Sequence, residues 1–200
     1  MVPGPGEISL AHHGVLFLDE LAEFRRETLE ILRQPMEEHC VKLARLAGNY
    51  EFPSDFMLVA AMNPCRCGYY PDLNRCHCTK GMVEQYLKKI SQPLLDRIDI
   101  CVETKRVEYQ DLIKENPYQE TSAEIRKRVV AAMERQQQRF AGTNIRYNSR
   151  IPAALLTKYC RLSTKQKQYM ENIYQKLELT ARSYPVSYTH LRAHETTLHL

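Results

Sequence analysis

Two short apolar runs, each followed by polar residues, constrain the fold of this chain more than any other feature. Residues 14–18 continue into Asp19-Glu20, and residues 56–62 are closed by Asn63-Pro64. Uninterrupted runs of this length are typical of strands buried on both faces of a parallel sheet. Because ligands of open α/β sheets bind at the carboxyl ends of strands, the polar residues that follow are candidates for chemistry.

Further elements are predicted around these runs. The spacing of apolar residues predicts a helix over 23–34 that Pro35 stops or kinks. Residues 41–46 and 50–52 flank a Gly/Asn turn at 47–49, which predicts a hairpin. A helix is expected over 82–90. The alternation of apolar and polar residues over 98–102 predicts a strand covered on one face.

The second half of the chain has a helical pattern. Thr121 and Glu124 are spaced as a capping box at the start of a helix over 122–140. Two more helices are expected over 151–160 and 164–177. Strands followed by a run of helices predict an α/β core with an all-α second domain.

Composition sets limits on location and partners. No apolar stretch approaches the roughly 18 residues of a membrane helix, and the first residues lack the pattern of a secretory signal. We therefore expect a cytoplasmic protein with reduced cysteines and no membrane partner. The part up to Thr104 is net acidic and the part from Lys105 onward is net basic. The basic part either faces nucleic acid or nucleotide phosphate, or is a solvated helical face.

Three positions have chemically suggestive side chains. Asp19 is placed to hold Mg²⁺ and Glu20 to polarise an attacking water, with Asn63 orienting that water if the two strands are neighbours. The alternatives are acids at a helix start and an ordinary Asn-Pro turn. Arg97 has the planar guanidinium suited to a transferring phosphoryl group, or forms a salt bridge to a neighbouring aspartate.

Several motifs occur together in one order. They are GEISLAHHGVLFLDEL at 6–21, LRQP at 32–35, VAAMNPC at 59–65, ISQPLLDRID at 90–99 and LTAR at 179–182. Together they resemble the magnesium-chelatase-like AAA+ ATPases, and within them the ComM/YifB-type competence-associated branch. The resemblance covers roughly residues 3–184, and it is more specific than any single motif.

The resemblance implies a role for each matching residue. Asp19 would be the Walker B acid that binds magnesium, Glu20 the catalytic glutamate and Asn63 sensor 1. Arg97 would be the arginine finger acting on ATP in the neighbouring subunit, and Arg182 the sensor 2 arginine of the lid. Asp19, Glu20, Asn63 and Arg182 would thus contact ATP and its Mg²⁺.

The resemblance also implies an organisation. Residues 1–104 would be part of an AAA+ core, 105–120 a linker, 121–184 a helical lid, and 185–200 a tail of non-native character. The protein would form a homo-oligomer, expected to be a hexameric ring, that remodels DNA by branch migration. The segment 40–56 resembles the hairpin before sensor 1, which faces the pore in related ring motors.

The chain departs from the family pattern in three places. Gln92 replaces a glycine, Pro185 interrupts the basic helix expected after Arg182, and none of the seven glycines belongs to a G-x-x-x-x-G-K-[ST] phosphate loop. In this family that loop lies upstream. We therefore expect a C-terminal fragment that is inactive by itself.

A cysteine-rich loop follows the second apolar run. Cys65-x-Cys67 and Cys76-x-Cys78 place four thiols within 14 residues, with His77 inside the second pair. Four thiolates can close a tetrahedral structural Zn²⁺ site, and the alternative is a loop of reduced cysteines. The other three cysteines are expected to be small core residues; they are Cys40, Cys101 and Cys160.

Three functions are compatible with the sequence. The first is a ring ATPase that remodels DNA. The second is a magnesium-chelatase ATPase subunit that powers metal insertion into a porphyrin. The third is a catalytically silent oligomerisation or zinc-binding module.

Overall fold

The computed structural model of the chain describes residues 3–46, 48–104, 109 and 120–176. Contacts within the chain divide it into two compact units, Met1–Ile100 and Cys101–Leu200. The first unit is α/β and the second is helical in its described residues, as the sequence pattern predicts. The predicted linker over 105–120 falls almost entirely outside the described residues.

The first unit alternates helices with two pairs of strands. Its elements in chain order are α1 (Glu7–Leu10), β1 (Val15–Leu18), a 3-10 turn (Leu21–Glu23), α2 (Arg26–Ile31), α3 (Arg33–Glu38), β2 (Cys40–Arg45), β3 (Gly48–Pro53), β4 (Met57–Ala60), α4 (Lys80–Leu87) and α5 (Gln92–Leu95). The predicted helix over 23–34 is thus two short helices. The ring of Pro35 excludes the carbonyl of the residue four positions before it, so the helix breaks at Leu32, and Pro35 lies in the first turn of α3.

The two apolar runs form neighbouring strands. β1 and β4 pair in parallel with Val15 opposite Met57 and Leu18 opposite Ala60. One face of this sheet packs, through Leu16 and Leu18, on a core of five buried residues; they are Leu21, Leu29, Leu32, Ile90 and Leu94.

The expectation that both faces of these strands are buried is wrong for the described residues. Val15 and Phe17 are each 58% exposed, and Met57 and Val59 are 65% and 40% exposed. These four side chains share one face because residues two apart on a strand point the same way. No described element covers that face, so the apolar runs lie against a helical core on one side only.

The predicted hairpin is confirmed. β2 and β3 pair antiparallel from Cys40 opposite Pro53 to Arg45 opposite Gly48. Gly48 has a φ of 138°, which only glycine adopts without strain, and it begins the returning strand.

The predicted strand over 98–102 is wrong. These residues have no regular structure, and Ile100 and Val102 are 69% and 77% exposed. An alternating pattern forms a strand only where a neighbour can pair with its backbone, and the described residues offer none at this position.

The second unit is built on one long helix. Its elements are α6 (Ser122–Arg139), 3-10 turns at Asn148–Arg150 and Ala153–Leu155, α7 (Leu156–Tyr159) and α8 (Thr164–Lys176). The predicted capping box is confirmed: Thr121 accepts from the Glu124 amide while Glu124 accepts from Thr121. Phe140 packs edge-on against Tyr159, with the ring centres 5.1 Å apart. Among the described helices, none combines the length and apolar character that crossing a membrane requires.

Candidate functional site

The carboxyl ends of β1 and β4 lie at one edge of the parallel sheet. Asp19 and Glu20 directly follow β1, and Asn63 lies three residues beyond the end of β4. The Ala61 amide donates to the Leu18 carbonyl at 2.9 Å, and the Leu21 amide donates back to Ala61, also at 2.9 Å. These bonds continue the strand pairing past the last paired residues. The backbone therefore brings the three predicted site residues to the same edge.

Residues 19–23, which we call the acidic turn, reverse the chain after β1. Glu20 adopts the left-handed conformation, with φ of 50° and ψ of 47°. Its amide donates to Asp19 Oδ1 at 2.8 Å, and its carbonyl accepts from the Glu23 amide at 2.7 Å. Both carboxylates are exposed to solvent. Exposed carboxylate oxygens at a strand end are ligands of the kind that Mg²⁺ takes.

Arg97 lies just after α5 and is held within its own unit. Its guanidinium forms an ion pair with Glu37 and donates to the Pro93 carbonyl. The side chain is only 10% exposed. The sequence offered Asp96 or Asp99 as salt-bridge partners, but Asp96 instead accepts from Gln92 at 2.9 Å. The partner of Arg97 is therefore 60 residues distant in sequence, on the far end of α3. Arg182, the predicted sensor 2 residue, lies outside the described residues.

The four loop cysteines converge. The Sγ atoms of Cys65, Cys67, Cys76 and Cys78 all lie within 4.8 Å of one another, and we call this group the thiol cluster. The Sγ of Cys67 is 3.3 Å from that of Cys65 and 3.5 Å from that of Cys76, while Cys65 and Cys76 are 3.8 Å apart. A tetrahedral zinc site with Zn–S bonds of about 2.3 Å has sulfur atoms about 3.8 Å apart. The four sulfurs therefore form a set that could hold a zinc ion.

The thiols of this cluster differ in acidity. Burial raises the pKa of Cys65, but hydrogen bonds from the Tyr70 amide and neighbouring thiols outweigh it and bring that pKa to about 6. A backbone hydrogen bond from Tyr69 leads the causes that lower the pKa of Cys67. For Cys76 a bond from the Cys78 amide lowers the pKa, but burial and the other thiols outweigh it and raise the pKa to about 12. The close approach of the four thiols therefore makes them differ in acidity.

Other candidate ligands do not join the cluster. His77 is exposed, and the group of convergent ligand atoms contains thiols alone. Cys40 and Cys160 are buried, as expected of small core residues, but the expectation for Cys101 is wrong because that side chain is exposed. The loss of the predicted strand over 98–102 explains this, since no sheet covers the position.

Sequence analysis missed Lys89. Its Nζ donates to the carbonyl of Ala22 at 2.8 Å, inside the acidic turn, and lies 3.6 Å from the Glu23 carboxylate. A single lysine near the end of a helix carries no local signal of a bond to a residue 67 positions away. Likewise, no local signal in the sequence marks Glu37 as the ion-pair partner of Arg97.

Comparison with known families identifies both units. The family described as "Magnesium chelatase, subunit ChlI" matches residues 1–112, and "Magnesium chelatase, subunit ChlI C-terminal" matches residues 119–187. The two matches together span both the described α/β unit and the helical one. The helical second unit fits the C-terminal family.

Full-length relatives agree with these matches. The chain is 40% identical to YifB of Escherichia coli, 39% to YifB of Salmonella typhimurium and 38% to the competence protein ComM of Haemophilus influenzae. Each alignment covers 183 residues, or 92% of this chain. It covers 35% of each relative, so the chain spans about a third of their length.

Proposed function

Because this chain belongs to the magnesium chelatase subunit ChlI family, we propose that it forms the strand-end half of an AAA+ ATPase site that drives remodelling of branched DNA. In this proposal the α/β unit is part of the ATPase core and the helical unit is its lid. The observation that supports it is the pairing of β1 with β4, which brings Asp19, Glu20 and Asn63 to one edge.

The residues at this edge have complementary roles in the proposal. Asp19 holds Mg²⁺, with Oδ1 already fixed by the Glu20 amide. Glu20 polarises the water that attacks the terminal phosphate, and the Asn63 amide orients that water. Bound Mg²⁺ supplies charge neutralisation on the phosphates of ATP. The exposure of both carboxylates supports this assignment, since a nucleotide has to reach them from solvent.

Two arginines complete the proposed site. Arg97 acts on ATP held by the neighbouring subunit of a homo-oligomeric ring, proposed to be hexameric, and Arg182 contacts the nucleotide of its own subunit. Arginine suits both positions because its fork of donors matches phosphate oxygens. The ion pair with Glu37 keeps the Arg97 guanidinium oriented until a nucleotide phosphate competes for it.

DNA is the proposed substrate of the motor. The competence protein ComM of Haemophilus influenzae is among the relatives, and competence is the uptake of DNA by cells. The β2–β3 hairpin ends in exposed Arg45 and Leu46 shortly before Gly48, so the described part of its tip presents a cation beside one apolar side chain. Such a tip suits contact with a phosphate backbone.

The thiol cluster is proposed to hold one structural Zn²⁺. Its four sulfurs leave no open coordination position for a substrate water, so the ion would have no part in the chemistry. The cysteine loop lies between β4, which ends at Ala60, and α4, which begins at Lys80 shortly after Cys78. Zinc would thus fix the segment that follows Asn63.

The experiment uses a full-length protein, meaning a polypeptide that carries this sequence together with a phosphate-binding loop. The Glu20→Gln variant keeps the shape of the side chain but removes its charge. We expect ATP turnover to fall by about 10²-fold or more while ATP binding persists, because only the activation of water is lost. Turnover is measured with and without forked DNA, and binding with a fluorescent ATP analogue.

A matched control is Glu27→Gln, which changes an exposed glutamate of α2 that lies outside the proposed site. Its turnover should equal that of the unchanged protein. Near-normal turnover in Glu20→Gln would reject the ATPase assignment. If ATP turnover responded to a porphyrin and not to forked DNA, the result would reject DNA as the substrate and support the metal-insertion function.

A further inference from the structure

Helix α4 connects the thiol cluster to the acidic turn. At its first end, the Thr79 hydroxyl caps the helix by accepting from the Met82 amide, and Val83 is buried together with Cys65 and Cys76. Beyond its last residue, Lys89 donates to the Ala22 carbonyl at 2.8 Å. The N-terminal end of α4 is therefore packed beside the thiol cluster, and a residue just after its C-terminal end contacts the acidic turn.

The position of Lys89 is set by its neighbours as well. Ile90, the next residue, is 4% exposed and belongs to the same buried core as Leu21 of the acidic turn. Tyr86, one turn earlier, is 6% exposed, and its ring lies 5.4 Å from the Lys89 ammonium group. The lysine therefore projects from a packed backbone and not from a mobile surface segment.

The acidic turn is held from two sides. On the side of β4, the Leu21 amide donates to the Ala61 carbonyl, and on the side of α4, Lys89 binds the Ala22 carbonyl. Directly before Leu21 and Ala22 lies Glu20, whose left-handed backbone is unfavourable for a residue with a Cβ. A turn in an unfavourable conformation persists only where surrounding bonds fix it.

We propose that Lys89 is a positioning residue, whose bond to the Ala22 carbonyl sets the direction of the Glu20 carboxylate. The proposal rests on the proposed function of Glu20. An ammonium group that donates to a backbone carbonyl makes a charge-assisted bond, which is stronger than the bond the carbonyl makes with water. Loss of the bond lets the turn relax toward ordinary backbone conformations, and the carboxylate then leaves the attacking water.

The first test separates turnover from binding in the full-length protein. Lys89→Met keeps the alkyl chain but removes the donor, and we expect kcat to fall about tenfold to a hundredfold. The KM for ATP should stay within about twofold, because the residue does not touch the nucleotide. Lys89→Arg restores a donor and should recover most of the lost rate.

Two neighbouring variants serve as controls. Lys88→Met changes the adjacent lysine, whose side chain is exposed and which the structure describes with backbone hydrogen bonds only. Glu23→Gln removes the 3.6 Å ion pair but leaves the bond to the Ala22 carbonyl in place. Both should keep kcat within about twofold. An equal loss in Glu23→Gln would assign the effect to the ion pair and overturn the proposal.

A second measurement does not depend on activity. Amide hydrogen exchange at residues 20–23 of this chain should be faster in Lys89→Met than in the unchanged chain, and unaltered in Lys88→Met. Unaltered exchange in Lys89→Met would overturn the proposal, whatever the enzyme assay gives. The Lys89 proposal would also be overturned if Lys89→Met had a normal kcat while Glu20→Gln was inactive. If instead Glu20→Gln was active and exchange was faster in Lys89→Met, only the proposed function would be rejected.

Discussion

The acidic turn follows β1, and the thiol cluster follows β4, the strand that pairs with it. The two differ in how complete a set of ligands each provides. The four sulfur ligands come from one loop, lie within 4.8 Å of one another and include the fully buried Cys65. The carboxylates of Asp19 and Glu20 are exposed, and they share an edge with Asn63 through backbone pairing. A complete set of buried and half-buried ligands can bind a metal ion within one chain. In the proposed function, the exposed, partial set is completed by a nucleotide and by residues from elsewhere.

This contrast is tested most strongly at Arg97. In the full-length protein, Arg97→Ala should lower ATP turnover by about 10³-fold or more, because an arginine finger is worth roughly 10³–10⁵ in rate. Zinc content should not change. Mixing Arg97→Ala with a variant lacking the phosphate loop should restore part of the turnover, since each chain supplies what the other lacks. Mixed rings that assemble but remain inactive would show that Arg97 does not act between subunits.

The second test removes ligands from the complete site. Metal analysis of this chain should find about one zinc per molecule, and the Cys76→Ser, Cys78→Ser double variant should contain none. The Cys40→Ser, Cys101→Ser double variant, which changes cysteines outside the cluster, should keep its zinc. A folded, metal-free chain with four freely titrating loop thiols would contradict the zinc assignment.

The smallest expected effect concerns the backbone of the cysteine loop. Gly68 has a φ of 81° and follows Cys67, so Gly68→Ala should cost about 1–2 kcal/mol of folding free energy. For a chain of this size that corresponds to a fall in Tm of about 2–8 °C for the zinc-loaded protein.

Gly81 provides the matched control for Gly68. It lies in α4 with open space where an added Cβ would stand, so Gly81→Ala should leave Tm unchanged or raise it. Equal effects of the two substitutions would mean that the loop is not held in the left-handed conformation at Gly68.

Local sequence patterns correctly predicted the elements whose formation depends on residues close together in the chain. The apolar runs that became β1 and β4, the hairpin and the capping box at Thr121 each depend on residues close together in the chain. The thiol cluster was predicted for the same reason, because its four ligands lie within one loop.

The errors arise where a distant partner decides the structure. Residues 98–102 alternate as a strand does, but no described strand pairs with them. The wrong prediction for the exposed face of β1 and β4 has the same cause, because an apolar run does not indicate which element covers it. The bonds of Lys89 to Ala22 and of Arg97 to Glu37 join residues at least 60 positions apart, and no periodicity in the sequence predicts them.

The left-handed backbone of Glu20 has a consequence for how this chain can evolve. Glycine would occupy that position without steric cost, so Glu20→Gly is a substitution that raises stability while it removes the carboxylate. A lineage selected for stability alone would lose the glutamate, whereas one selected for the chemistry keeps a strained residue at the strand end. Under the proposed function, the glutamate at this position exchanges folding stability for a carboxylate at the strand end.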